Sequence, residues 1–415
     1  MSSAARVPAW SRVGIAGIGI ESPLGDSLDG AWSRLMAGDS AIARASFEGL
    51  PDIAAAKVET DLSRVLPKLQ QTGTERVSLM ALSAARHALA DAGIGPWDES
   101  QQQRIGLYLG TGMGGAATVD AGFSALYTGK RVPPMSVPAG MVNGAAAVLA
   151  LHCGIRGPVL TYAVACASAA VAMAEAAHAL RRGEIDIAIA GGAEALLVPG
   201  TVAAWQALRT LAAPDEQDPG RSCRPFSADR NGLVLGEGAA FFVLQREADL
   251  LQSGARVRAW FSGSALTCDA AHLTNPATRG QIAALQQALR SAGLEPSDVG
   301  YCNAHGTATL AGDPVECEAL RTVWGADAGN LKLSSTKSAH GHLLGAAGAL
   351  EAVWTVQALE RGELPPTRGV TTLDAACVGL GHVLGTGQHS PALRHAISNS
   401  FAFGGSNASL VFSKA

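Results

Sequence analysis

The stretch Thr161-Tyr-Ala-Val-Ala-Cys166-Ala-Ser-Ala-Ala170 decides how the rest of the chain is read. Val159, Leu160 and residues 162–164 read as a short buried strand. Residues 167–180 are Ala, Val, Met, Glu and Leu in the main, with no proline or glycine, which predicts a helix. Cys166 then falls where a strand turns into a helix. Its sulfur would face unpaired N–H groups at the positive end of the helix dipole, a setting that favours a thiolate. A free thiol has a pKa of about 8.5, and this position is expected to lower it. The small neighbours Ala165, Ala167, Ser168 and Ala169 leave room for a substrate. On position alone a small buried hydrophobe is the commoner reading of such a cysteine and a nucleophile the rarer one; the rest of the chain favours the nucleophile.

The chain has 415 residues, beyond the ~250–300 at which one core stops growing, so two fused halves are expected. Hydrophobic residues make up 48 % and charged residues 16 %, so much of the chain must be buried. A net charge of −4 gives no reason to expect nucleic acid as a partner. The 49 glycines lie outside any low-complexity run and suggest tight turns. Seven scattered cysteines with no Cys-x-x-Cys pair suggest neither a zinc site nor a disulfide framework, and fit a reducing cytosol. No apolar run reaches the ~20 residues of a membrane span, and the N-terminus does not read as a signal peptide. A cytoplasmic enzyme without metal is the expectation.

In chain order, a strand is expected over 12–21, helices over 28–37 and 75–92, and a strand over 104–111. The last leads into Gly110-Thr-Gly-Met-Gly-Gly115. That run is not read as a dinucleotide loop, because no clear helix opens on it and no acidic residue follows at the usual offset. Strands are expected over 185–190 and 234–244, and the polar stretch 249–255 reads as a seam. Beyond it the pattern repeats: strand 257–265, helix 278–292, strand 299–304, helix 313–323, strand 331–335, helix 343–360. Alternation of this kind argues for a layered α/β fold, with halves 1–255 and 256–415. No repeated sequence proves a duplication.

Three segments of the second half put polar groups at strand ends, where α/β folds build sites. They are Asn303-Ala-His305-Gly-Thr307-Ala-Thr309, running on to Asp313 and Glu316; Ser334-Ser-Thr-Lys337-Ser-Ala-His340-Gly-His342; and Asn399-Ser-Phe401-Ala-Phe403-Gly-Gly405-Ser-Asn407. On these motifs, their order and their spacing, the chain resembles the elongating β-ketoacyl-[acyl-carrier-protein] synthases of the thiolase superfamily. The resemblance implies a duplicated five-layer αβαβα sandwich and a homodimer or a heterodimer with a ketosynthase-like subunit. It implies decarboxylative condensation of an acyl thioester on Cys166 with malonyl-carrier, giving a 3-oxoacyl-carrier and CO2. The pathway, fatty acid or type II polyketide or polyene, stays open. No cofactor is implied, the phosphopantetheine arm being supplied by the carrier.

Carried over by motif, Cys166 is the acyl acceptor, and His305 and His342 bind malonyl and promote its decarboxylation. Lys337 orders the site, with Glu351 as a charge partner or a solvated helix residue. Asp313 and Glu316 lie behind the catalytic groups. Phe403 is the gate, its N–H forming an oxyanion hole with that of Cys166. Thr307 and Thr309 would hold the phosphopantetheine, and Thr274 would lie near the malonyl pocket. Met113, Met135 and Ser136 fall where the family lines its acyl tunnel, and the small polar Ser136 suggests an unusual chain. Arg64, Lys68, Lys130 and Arg131 would dock the acidic carrier, or are plain surface charge. Ala402 stands where the family has glycine, so a stiffer gate is expected. His340 reads as an ordinary loop residue, and Cys302 and Cys317 as core. A non-catalytic chain-length factor is the rival reading, and Cys166 with both histidines speaks against it. A thiolase would want a second catalytic cysteine near the C-terminus, and the initiating synthases have asparagine where His342 stands.

Overall fold

In the computed structural model, which describes residues 12–415, the strands of the first half are β1 (Val13–Glu21), β2 (Ile105–Gly110), β3 (Val159–Tyr162), β4 (Ile187–Glu194) and β5 (Gly238–Arg246). Those of the second are β6 (Ala259–Cys268), β7 (Tyr301–Asn303), β8 (Lys332–Ser334), β9 (His395–Phe401) and β10 (Ser406–Lys414). The first set runs in the order β1-β5-β4-β2-β3 and the second in the order β6-β10-β9-β7-β8, with a short strand, Gly381–His382, beyond β8. The pairings also match. β1/β5 and β5/β4 are antiparallel, as are β6/β10 and β10/β9; the two outer pairs of each set are parallel. Topology thus reveals the duplication that the residues alone did not prove. Among the described residues the sets pair at one corner, where Val13, Gly14 and Ile15 of β1 pair with Phe261, Trp260 and Ala259.

From that corner the sheets diverge around a middle layer of two helices, α4 (Ser168–Arg181) and α8 (Ala347–Arg361). Both are rich in alanine, and their small side chains let each approach both sheets. One apolar cluster centred on Ala172, Met173, Leu350 and Trp354 fills this layer. A second lies outside the first sheet under α1 (Arg76–Ala92) and α3 (Gly144–Cys153). A third lies outside the second sheet under α6 (Thr278–Ala292) and α7 (Gly312–Trp324). The result is the five-layer αβαβα sandwich. Gly110 at the end of β2 matters for the site: a β-carbon there would lie 2.2 Å from the Ala169 nitrogen, so only glycine lets the first turn of α4 sit against the strand.

Several expectations need correction. The strand before Cys166 is not buried; β3 is the outermost strand of its sheet, with Val159 and Leu160 exposed. A helix does open on the glycine run, α2 (Ala116–Tyr127). Its start carries no local cap; the Glu75 carboxylate, from a distant part of the chain, accepts the Ala117 N–H at 2.9 Å and the Thr118 N–H at 3.3 Å. Its apolar Phe123, Leu126 and Tyr127 are exposed, so no interior face gives it a readable period. The polar stretch read as a seam contains a short helix, Glu247–Ser253, which leaves its place between the two sets of strands unchanged. Residues 234–244 divide into a two-residue strand, Leu235–Gly236, and β5. The helix expected over 343–360 begins with a 3₁₀ turn, Leu344–Ala346, before α8. Among the described residues no helix is long and apolar enough to cross a membrane.

Candidate active site

Cys166 precedes α4 as expected, with Ala167 at the helix cap. Ala165 before it takes a left-handed conformation, φ 46°, which turns the chain sharply and aims the sulfur into a cavity of about 270 Å³. His305 follows β7 in the second half, and His342 follows the short helix Lys337–His340. The middle layer brings all three together. Cys166 Sγ lies 3.0 Å from His342 Nε2, and the reactive atoms of the three residues are within 4.8 Å of one another. The imidazoles stand nearly perpendicular, with centroids 5.3 Å apart.

The electrostatics differ from expectation in one respect. Burial pushes the Cys166 thiol up to about 12, outweighing the Lys337 ammonium and the Phe403 backbone N–H that pull it down. The helix start does not make this thiol acidic at rest, because the sulfur has lost its water. Burial first, and then the Lys337 charge, hold His305 and His342 well below the usual imidazole range, so both rings are neutral. A neutral ring can donate one N–H or accept one proton without paying for a buried charge.

Lys337 is fully buried and pairs with Glu351, which is also fully buried and so not a solvated helix residue. Burial raises Glu351 to about 7 while the ammonium pulls it back. Lys337 Nζ also donates to the His305 carbonyl at 2.6 Å. Glu316 accepts the His305 N–H at 2.9 Å and the Gly306 N–H at 2.8 Å, and Asn399 donates to it at 3.2 Å. Asp313 accepts the N–H groups of Phe226 and Ala308, with Arg230 at 3.7 Å. These carboxylates therefore brace the His305 loop from behind. His340 is not an open loop residue; it is buried, with Nε2 3.1 Å from the Thr336 hydroxyl. Cys302 and Cys317 are core.

The Phe403 N–H is near enough to the sulfur to favour its charged form, and no backbone carbonyl of the described residues accepts the Cys166 N–H. The Phe403 ring stacks on Trp205 with centroids 6.1 Å apart. Trp205, on α5 (Pro199–Leu208), lines the cavity and went unnoticed in the sequence, where one tryptophan among seven carries no signal. Thr307 and Thr309 line the cavity with hydroxyls 3.1 Å apart, and Thr274 sits at its exposed mouth. Met113, Met135 and Ser136 do not line it; both methionines are exposed on the outer face near α2. Arg64, Lys68, Lys130 and Arg131 are exposed.

Known proteins match the chain along most of its length. The family model described as "Beta-ketoacyl synthase, N-terminal domain" matches residues 11–250, and "Beta-ketoacyl synthase, C-terminal domain" matches 258–371. Nodulation protein E of Rhizobium sp. (strain N33) is 39 % identical over 406 residues, 97 % of this chain and 98 % of that protein. 3-Oxoacyl-[acyl-carrier-protein] synthase 2 of Rhizobium meliloti (strain 1021) is 34 % identical over 417 residues, 96 % of this chain and 98 % of that protein. Among solved structures, a beta-ketoacyl synthase from Burkholderia phymatum STM815 superposes with a TM-score of 0.91 at 33 % identity, covering 98 % of this chain and 100 % of its own. The ishigamide ketosynthase/chain length factor superposes at 0.90 with 29 % identity and the same coverage.

Proposed function

The chain belongs to the β-ketoacyl synthase family, and from that premise we propose that Cys166, His305 and His342 carry its reaction. The reaction is the elongating condensation of an acyl thioester with malonyl-carrier. The observation that supports this assignment is the sulfur facing two neutral imidazoles inside one cavity.

In the first step Sγ attacks the acyl thioester, the S–acyl bond to the carrier breaks, and the thiol proton passes to the departing pantetheine sulfur. His342 Nε2, 3.0 Å from Sγ, keeps its own proton for the step that follows. Malonyl-carrier then enters past Thr307 and Thr309. Its carboxylate leaves as CO2, and the electron pair forms an enolate whose oxygen takes N–H bonds from His305 and His342. The carbanion attacks the acyl-cysteine carbonyl; the Cys166 and Phe403 N–H groups hold the oxyanion, and as the carbonyl re-forms the sulfur departs as a thiolate, which takes one proton from solvent to restore the resting thiol. Lys337, Glu351, Asp313 and Glu316 keep the His305 loop in place. The phosphopantetheine arrives on the carrier, and the chemistry calls for no metal.

The presence of the nucleophile and both histidines favours a catalytic subunit over a chain-length factor. Pairing goes through the exposed face of β3 and α2, with a second copy or a ketosynthase-like subunit, in the cytoplasm. We place the division between the halves at 255/256. Met113, Met135 and Ser136, on that same face, would complete the acyl tunnel only once the partner covers them, and Ser136 favours a polyene or polyketide chain over an ordinary saturated one. Arg64, Lys68, Lys130 and Arg131 would receive the carrier, an attraction that weakens with salt. The test is incubation with a panel of acyl-carriers and malonyl-carrier, followed by intact mass. Expected are an acyl adduct on Cys166, lost in Cys166→Ala, and an extended product. No adduct would refute the assignment of Cys166, and only ordinary saturated long products would refute the tunnel reading.

A further inference from the structure

The glycine run 110–115 and the buried Glu194 play no part in the steps above, yet they meet at the turn that follows His342. Glu194 ends β4 and is wholly shut from solvent. Its Oε2 accepts two N–H groups at once, Gly112 of the first half at 2.6 Å and Gly345 of the second at 2.9 Å. Oε1 accepts the Thr111 hydroxyl at 3.2 Å and the Met113 N–H at 3.4 Å. Gly345 lies three residues after His342. No other side chain fits the seam: a β-carbon on Gly345 would stand 2.1 Å from the Gly112 nitrogen, and one on Gly112 would stand 2.6 Å from Oε2.

The duplicated topology supplies an independent parallel. The loop after β7 presents the His305 and Gly306 N–H groups to buried Glu316, and the loop after β2, its counterpart in the first half, presents those of Gly112 and Met113 to Glu194. Glu316 thus holds the loop that carries His305, and Glu194 ties the matching loop of the first half to Gly345, in the turn that follows His342. We propose that Glu194 is a positioning residue that locks the His342 loop onto the glycine run of the opposite half, so that malonyl decarboxylation depends on it more than acyl loading does. The proposal rests on the role given above to His342. Acyl loading calls mainly on Cys166 and the gate N–H, neither of which Glu194 holds.

The experiment compares wild type, Glu194→Gln and Glu194→Leu. Three quantities are measured: acyl loading on Cys166 by intact mass, CO2 release from malonyl-carrier without acyl donor, and thermal unfolding. Displacing a catalytic ring by an ångström costs about 100-fold. Glu194→Leu should therefore lose about 100-fold in CO2 release while loading stays within about threefold. Glu194→Gln should recover much of the loss, because its amide oxygen can still accept from Gly112 and Gly345. Equal loss in both half-reactions, or loss in neither, overturns the proposal. Should the leucine variant not fold, the glutamine variant decides alone by the same split, about tenfold in CO2 release. A wild type that loads acyl groups but releases no CO2 overturns instead the role of the histidine pair, and that of Glu194 with it.

Discussion

Cys166 shows how far a local setting can be overruled by depth. A helix start favours a thiolate, but Cys166 is only 7 % exposed and burial pushes its thiol up to about 12. Alkylation by iodoacetamide should then quicken about tenfold per pH unit from 7 to 9, because the thiolate fraction grows tenfold per unit below the pKa. A rate that levels off below pH 9 would instead show a thiol acidified by the helix. Lys337 makes the matching point for charge. Lys337→Met strands Glu351 without a counter-ion in the interior, and should cost about 3–5 kcal/mol in denaturant unfolding. Lys337→Met with Glu351→Leu should recover most of that stability but not the activity, since the bond to the His305 carbonyl is gone. Equal stability of the single and double variants would refute the pairing.

At the scale of elements, the gate expected at Phe403 is the turn between β9 and β10. Gly404 and Gly405 take its left-handed positions, φ 85° and 80°, and Ala402 is not among the left-handed residues. Ala402 is tied by its N–H to the Ser406 carbonyl at 2.8 Å and by its carbonyl to the Gly405 N–H at 3.1 Å. Its methyl group thus adds no strain to the closed turn, yet it restricts the opened one. Glycine in place of alanine frees about 0.5–1 kcal/mol of backbone entropy, so Ala402→Gly should raise extension turnover about two- to fivefold. An unchanged rate and product length would dismiss the stiff gate. The residues of this turn stood together in the sequence; the Trp205 ring that Phe403 rests on comes from a helix almost two hundred residues earlier, and only the folded chain pairs them.

For the whole molecule, the unfinished edge matters most. β3 ends an eleven-stranded sheet with its backbone open, and Val159 and Leu160 are exposed beside it. Proteins normally protect such an edge with charge, proline or a partner. The first two are missing from β3, and α2 adds exposed Phe123, Leu126 and Tyr127. Native mass spectrometry should find a two-subunit species, with Leu160→Lys shifting it toward single chains. A wild type that stays single at micromolar concentration, alone and with ketosynthase-like subunits, would refute the pairing face.

The sequence by itself determined the alternation of strands and helices, the place of Cys166 before a helix and the motifs bearing His305 and His342. Those features are local, set by propensity, period and short-range spacing. Only the tertiary structure decided that the halves share one topology, that Lys337 and Glu351 are buried as a pair, and that Glu194 binds both halves. It also decided that β3 is an edge and that the thiol is neutral. Burial, desolvation and contacts between distant segments are properties of the assembled layers, so residues far apart in the chain carry no mark of them until those layers close.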